Sequence, residues 1–403
     1  MAKFDSNYSP KEDLIWLILR PWIFFPRLLY IFLTLIFLFI RLLFQGNSKS
    51  KIVQKNLSKY LFDVITGLGP CYIKLGQALS TRPDLIRQDW LTELTKLQDN
   101  LPPFDNKIAL KIIQEEFGTS AYELFDEFPD LPIASASLGQ VYKVKTKNQS
   151  YCAVKVQRPN LYFLIRRDVV ILKILATSFS TFLPLNIGVG IGEIIDEFGK
   201  ALFEEIDYEK EGENAIKFAT LFESNPYVFI PKLVKEYSSK RVITTSWIEG
   251  FKLRDREILE QNNLKPASFI KTCVISGLQQ LFEYGYFHAD PHPGNMFALK
   301  GGNSDYGNLA YVDFGMMDSI TNSDRLTLIK AIVHLINEEY LLLARDFQKL
   351  GFLTKEQDLS ELVEPLKEVL GDSFGAEVGS FNLKNVTDKF SKLMYSYPFR
   401  VPS

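Results

Sequence analysis

From residue 14 to residue 44 almost every position is apolar or aromatic, and Arg20, Pro21, Pro26, Arg27 and Arg41 are the interruptions. A run of this kind has no polar face to turn toward water, so it predicts a helix held against apolar surroundings. Its longest charge-free stretch, 28–40, makes a helix of about 20 Å, shorter than the roughly 30 Å hydrocarbon core of a bilayer. A helix counted from Pro21 to Ile40 is long enough to span if Arg27 snorkels to the interface. A continuous helix also puts Arg20, Arg27 and Arg41 on one stripe, as in a segment lying in the interface, so crossing and lying on the membrane both stay open. No small-residue cleavage site follows the run, which argues against a signal peptide.

After a polar linker at 46–55, apolar residues recur at three- and four-residue spacing over 52–117, a helical pattern broken once by Leu101, Pro102 and Pro103. Alternation then predicts a hairpin, with strands over 138–144 and 151–156 joined by the polar turn 147–150. Helical patterns return over 161–182 and 192–222, and short strands over 228–235 and 241–247. Beyond Gly250 the chain reads as mostly helical, with strand-like pieces at 295–299 and 309–312. A length of 403 residues exceeds what one hydrophobic core usually organises. The order of elements predicts an α+β protein of two lobes, sheet-rich then helical. The expected divisions are a membrane-associating segment at 1–50, a helical extension at 51–128, a first lobe at 129–250 and a second at 251–403.

Composition narrows the partners more than the fold. At 46% hydrophobic, 23% charged and a net charge of −2, the chain lacks the basic excess of a nucleic-acid binder. Cys71, Cys152 and Cys273 are odd in number and far apart, which fits a reducing compartment and neither a disulfide framework nor a zinc knuckle.

The candidate chemistry sits in the second half, where His288-Ala289-Asp290-Pro291-His292-Pro293-Gly294-Asn295 precedes Asp313-Phe314-Gly315. Phosphoryl transfer asks the protein to position an acceptor, hold Mg²⁺ and neutralise phosphate charge. An aspartate, an asparagine five positions later and a following Asp-Phe-Gly supply those parts in the order of the kinase catalytic loop and metal-binding motif. Asp290 is then the candidate base, and Asn295 and Asp313 the candidate magnesium ligands. A rival reading groups His288, Asp290 and His292 with Asp313 as a hydrolytic metal centre, but the only other histidine is His334. A small-molecule kinase of the aminoglycoside or choline type is a further alternative.

The first half arbitrates. Tyr151-Cys152-Ala153-Val154-Lys155-Val156 resembles the strand whose lysine contacts the α and β phosphates of ATP. Upstream, Ala134 to Val141 aligns with G-x-G-x-x-G-x-V but keeps only Gly139 and Val141, with Ala134 and Ala136 where glycines would stand. Each alanine adds a methyl group where a glycine backbone would approach phosphate closely. The acidic run 203–211 falls where a helix would supply the lysine's glutamate partner, and Glu211 is the candidate, with Glu205 and Asp207 nearby on the same two turns. Lys74 and Gln77, in Lys74-Leu75-Gly76-Gln77, share a helical face and by themselves indicate only an ordinary helix.

Together these residues resemble the UbiB, or aarF, family of atypical kinases, over about residues 57–323. The marks are the K-x-G-Q of Lys74 to Gln77, the alanine-rich loop, Lys155, the E-x-D of Glu205 to Asp207, and the Asp290, Asn295 and Asp313 set. The string from Gly67 to Asp84 looks like the cyanobacterial and plastid branch. The resemblance implies a bilobal protein-kinase-like fold with a helical extension over the site, and ATP or ADP bound with Mg²⁺. It also implies ATPase or phosphotransferase activity in prenylquinone biosynthesis at a membrane, on the cytoplasmic or stromal side, among membrane lipids, quinone precursors and quinone-biosynthesis proteins. By the same resemblance Lys74 and Gln77 would reach the site near Glu205 and Asp207 and suppress protein phosphorylation. Some members carry a hydrophobic segment at the other terminus and continue past the point where this chain stops at 397–403, so either a shortened member or an incomplete gene product is expected.

Overall fold

Pro21 opens a helix where its missing N–H is harmless, and the helix runs through Pro26 to Gln45, 25 residues or about 37 Å. In the computed structural model, described here for residues 8–46, 48, 50–80, 88–98, 101–180, 190–303, 305–353 and 357–374, this is α2 (Pro21–Gln45), preceded by α1 (Pro10–Ile18). Among the described residues α2 is the one helix long and apolar enough to cross a membrane, with a mean hydropathy of 2.4 over its most apolar window. Ile31 and Leu38, seven apart, are its buried positions, while Trp22, Phe25, Leu29, Leu33, Phe37 and Phe44 are exposed.

The helices α3 (Lys51–Leu68), α4 (Pro70–Ser80), α5 (Gln88–Leu94), α6 (Asn106–Phe117) and the one-turn α7 (Ala121–Leu124) follow. Strands β1 (Phe125–Glu127), β2 (Ala134–Ser135), β3 (Gly139–Thr146) and β4 (Tyr151–Gln157) lead to α8 (Leu161–Ser178), α9 (Ile191–Glu205) and α10 (Tyr208–Leu221). Then come β5 (Val228–Phe229), β6 (Val242–Ser246), β7 (Gly250–Lys252), α11 (Arg256–Gln261) and α12 (Pro266–Leu278). The remaining elements are β8 (Tyr286–His288), β9 (Met296–Leu299), β10 (Asn308–Tyr311), β11 (Met317–Ser319), α13 (Asn322–Ile336), α14 (Tyr340–Lys349) and α15 (Val363–Phe374).

The described residues fall into two compact units, one drawn from Met1–Ile174, Phe198–Gly277 and His288–Met317, the other from Leu175–Glu197, Leu278–Phe287 and Asp318–Ser403. In the first, β1-β3-β4-β6 form an antiparallel sheet with β2 added on β3. Strand alternation turns Cys152, Val154 and Val156 of β4 into a core with Ile112 and Ile113 of α6, Phe125 and Phe128. Val154 and Val156 are fully buried, each contributing roughly 1.5–3 kcal/mol. The intervening Lys155 therefore faces the other side. A second sheet of order β5-β10-β9-β7 pairs Tyr311 with Met296. In the second unit α13, α14 and α15 bury Leu343, Leu362, Leu366 and Leu370, and His334 Nδ1 lies 2.7 Å from Asp346 Oδ2.

Three sequence expectations need correction. The helical pattern at 192–222 is two helices, because Asp207 is extended and caps α10 by accepting from Lys210 N at 3.1 Å, while Gln157 Nε2 takes the Ile206 carbonyl at 2.8 Å. The strand at 228–235 shortens to β5, since Pro231 cannot donate to a ladder. Arg27 does not snorkel: its Nε and Nη2 lie 3.0 and 2.7 Å from the two oxygens of Asp168 in α8, and Nη2 also donates to the Leu68 carbonyl. Arg20 folds back on Trp16, and Arg41 lies 4.1 Å from the centre of the Tyr60 ring. The expectation about residues 397–403 lies outside the described residues, as does part of the string 67–84.

Candidate functional site

The register of the first sheet sets Ala134, Val141, Lys155 and Ile243 in one row across β2, β3, β4 and β6. Lys155 Nζ reaches across to α10, 3.0 Å from both carboxylate oxygens of Glu211, and lies 3.3 Å from Asp313 Oδ2. Burial works against the Lys155 charge, but Asp313 and Glu211 outweigh it and hold the ammonium well above its ordinary value. Burial pushes Glu211 up to about 7 against the pull of Lys155. For Asp313 burial is outweighed by Lys155, Lys74 and His288, which bring the carboxyl down to about 2. The lysine is shared between the two carboxylates.

Asp313 and Asn295 arrive together because β9 begins where its antiparallel neighbour β10 ends: Val312 N donates to the Asn295 carbonyl at 3.0 Å. Asp313 has φ +66, a left-handed conformation that aspartate tolerates at some cost and that recurs at functional sites. Phe314, next in the motif, is buried and meets Phe218 and His288 with ring centres 5.3 and 5.9 Å apart. Asn214 Nδ2 donates to the Phe314 carbonyl at 3.0 Å.

Asn295 Nδ2 donates to the Asp290 carbonyl at 3.3 Å, which turns its amide so that the oxygen is its other polar end. One ionised carboxylate and one amide oxygen are hard donors of the kind magnesium takes when water and phosphate complete its shell. The neighbourhood adds charge in the same sense, with Glu205, Glu211 and Asp313 against Lys74 and Lys155. The rival H-x-D-x-H centre does not assemble. Asp290 N donates to His288 Nδ1 at 3.1 Å and Gly294 N to His292 Nδ1 at 3.0 Å, so each ring shapes its own turn. Among the described residues no group of three or more His, Cys, Asp or Glu side chains could hold a metal. Asp290 keeps 37% of its side chain exposed, open to an acceptor.

The alanine-rich loop closes through Ala136 N donating to the Gly139 carbonyl at 2.8 Å. Arg158, which sequence reasoning missed, braces it: Nε donates to the Ala136 carbonyl at 3.0 Å, and Nη2 to Pro102 and Ser135 at 2.8 and 3.1 Å. Gly139 is needed for closeness, since a methyl there would stand 2.6 Å from the Tyr208 hydroxyl and 2.7 Å from the Val156 carbonyl.

Lys74 of α4 pairs with Glu205, both largely buried, and Glu205 Cγ would lie 3.2 Å from a methyl on Gly315 of the Asp-Phe-Gly. Gln77 goes elsewhere, donating to the Leu97 carbonyl at 2.8 Å, and Gly76 lets α4 approach Leu97 and Ile65. Asp207 serves as the cap of α10. Of the four residues expected around the extension, the structure thus brings Lys74 and Glu205 together and places Gln77 and Asp207 in the scaffold. Asn214 and Tyr208 were also missed, although their spacing from Glu211, three on and three back, was a legible signal for one helix face.

A sheet lysine paired with a helix glutamate, beside an Asp-Phe-Gly and an Asp-to-Asn loop, defines a protein-kinase-like fold and site. Residues 96–346 match the ABC1 atypical kinase-like domain, and the chain belongs to that family. It is 45% identical to the uncharacterized protein slr1919 of Synechocystis over 95% of this chain and 67% of that one. It is 39% identical to Protein ACTIVITY OF BC1 COMPLEX KINASE 1, chloroplastic, of Arabidopsis thaliana over 86% of this chain and 50% of that one. The chain spans from half to two thirds of the length of these curated relatives. The solved structure of Rv3197 in complex with erythromycin, from Mycobacterium tuberculosis, is similar at 26% identity and TM-score 0.55, covering 83% of each chain.

Proposed function

We propose that the protein is an atypical kinase-type enzyme that binds Mg-ATP or Mg-ADP and acts as an ATPase or phosphotransferase at a membrane, in the metabolism of prenylated quinones. The observation that carries this reading is the single ammonium of Lys155 shared between Glu211 at 3.0 Å and Asp313 at 3.3 Å. Lys155 would meet the α and β phosphates, and Asp313 with Asn295 would hold the metal, which supplies charge neutralisation to the phosphates. Asp290 would orient an acceptor hydroxyl or a water. The apolar surface of α2 and relatives named as chloroplastic kinases support a membrane setting. The quinone role, and with it an assembly with quinone-biosynthesis proteins, rests on the family resemblance of the K-x-G-Q and alanine-rich segments.

Thermal unfolding of the full chain in detergent or nanodiscs tests the nucleotide reading. A ligand that binds only the native state at a hundred times its Kd stabilises by about 2.7 kcal/mol. Mg-ATP or Mg-ADP should raise the Tm, and Asp313→Asn should abolish most of the gain; an unchanged wild-type Tm at millimolar nucleotide refutes it. Nucleotide and lipid binding without turnover is the second reading, favoured by the Lys74–Glu205 pair at Gly315 and by the alanines at 134 and 136. Phosphate release measured with and without anionic liposomes separates the two.

A further inference from the structure

Tyr208 is the first residue of α10 and shares a face with Glu211, one turn on. Its ring centre is 5.0 Å from Lys155 Nζ, and its hydroxyl reaches the end of the alanine-rich loop, where a methyl on Gly139 would stand 2.6 Å away. The residue is 1% exposed and the hydroxyl has no hydrogen-bond partner among the described residues. Buried polar groups without partners are rare, and each one asks for an explanation. Packing alone does not supply it, because a phenylalanine at 208 would fill the space without the cost of a stranded hydroxyl.

Burial keeps the phenol protonated at neutral pH, so it carries a proton to donate to an acceptor that arrives. The nearby carboxylates of Glu211 and Asp313 are turned to Lys155. Lys155 Nζ over the ring and Arg158 on the loop carbonyls bring two cations to this corner, against the carboxylates of Glu211, Asp313 and Glu205, and an anionic acceptor would meet those cations. We propose that the Tyr208 hydroxyl is a hydrogen-bond donor to the polyphosphate of the nucleotide, at the phosphate that Lys155 holds. Gly139, having no side chain, lets the end of the loop lie directly against that hydroxyl. The inference rests on the nucleotide-binding reading and adds to it a residue that senses phosphate and not adenosine.

The test is Tyr208→Phe in the full chain, with Tm recorded without ligand and Kd measured for Mg-ADP, Mg-ATP and adenosine. The ligand-free Tm should equal or exceed that of the wild type, affinity for both phosphorylated ligands should fall about tenfold, and adenosine binding should be unchanged. A lowered ligand-free Tm with unchanged Kd values would assign the hydroxyl a structural role and overturn the proposal. So would an equal loss for adenosine, or a wild-type affinity for Mg-ADP in the variant. A wild-type chain that binds no nucleotide at all overturns the proposal together with the reading beneath it, which makes the two failures distinguishable.

Discussion

Asp168 is the residue at which the apolar N-terminal helix is fastened to the kinase-like unit, and its removal should be felt by the whole unit. Its carboxylate is 1% exposed and is met by four guanidinium nitrogens, from Arg27 at 3.0 and 2.7 Å and from Arg167 at 2.8 and 3.2 Å. Asp168→Ala leaves two largely buried guanidiniums without a counter-charge, with side-chain exposures of 16% and 14%. Breaking a buried pair from one side costs about 3–5 kcal/mol. At roughly 2–4 °C per kcal/mol for a unit of this size, the Tm should fall by about 6–20 °C. Arg27→Ala should cost less, about 1–3 kcal/mol, because Arg167 still holds the aspartate and the main loss is a set of charge-assisted hydrogen bonds. Arg41→Ala, which removes only a stacked contact on Tyr60, should cost under about 1 kcal/mol. The assay is thermal unfolding of the full chain in nanodiscs, with proteolysis in the linker at 46–50 reporting release of α1 and α2. If Arg27 instead reached lipid head groups, Asp168→Ala would be nearly silent and Arg27→Ala would weaken liposome binding without lowering the Tm. That pattern, or equal costs for Arg27→Ala and Arg41→Ala, refutes the latch.

Deleting the apolar segment would also remove this latch, so membrane attachment is better tested on the exposed face of α2. Replacing Leu33 and Phe37 by Glu should move the full-length protein from the membrane pellet to the supernatant with little change in the unfolding of the kinase-like unit, and a variant that still pellets places the anchor elsewhere. A pH dependence is expected from Glu211. Its folded pKa is raised toward about 7 from an ordinary value near 4.5, so the native state holds the proton more tightly and stability is lost as pH rises between those values, by up to about 1.4 kcal/mol per unit. Glu211→Gln cannot titrate, so its stability relative to wild type in denaturant titrations should increase from pH 5 to pH 7.5; a difference that stays constant shows that Glu211 does not titrate there.

Local physics made much of this protein legible without coordinates. Alternation over 138–156 determined the hairpin and the side of the strand on which Lys155 stands, because a period of two leaves no choice once Cys152, Val154 and Val156 are buried. Residue type, spacing and order singled out Asp290, Asn295, Asp313 and Glu211, since a turn between short strands and a helix face each impose their own intervals. Sequence could not decide where a long side chain ends. Lys74 and Gln77 share a helix face, yet one meets Glu205 and the other the Leu97 carbonyl, a difference set by which elements pack on either side of α4. Arg27 looked like a lipid-facing cation until α8 brought up Asp168 from 141 positions away. The hydroxyl of Tyr208, Arg158 on the loop carbonyls and the break at Asp207 are likewise products of packing. Each depends on which partner the rest of the chain delivers to a polar atom once water has been excluded, and that is decided only when distant segments meet.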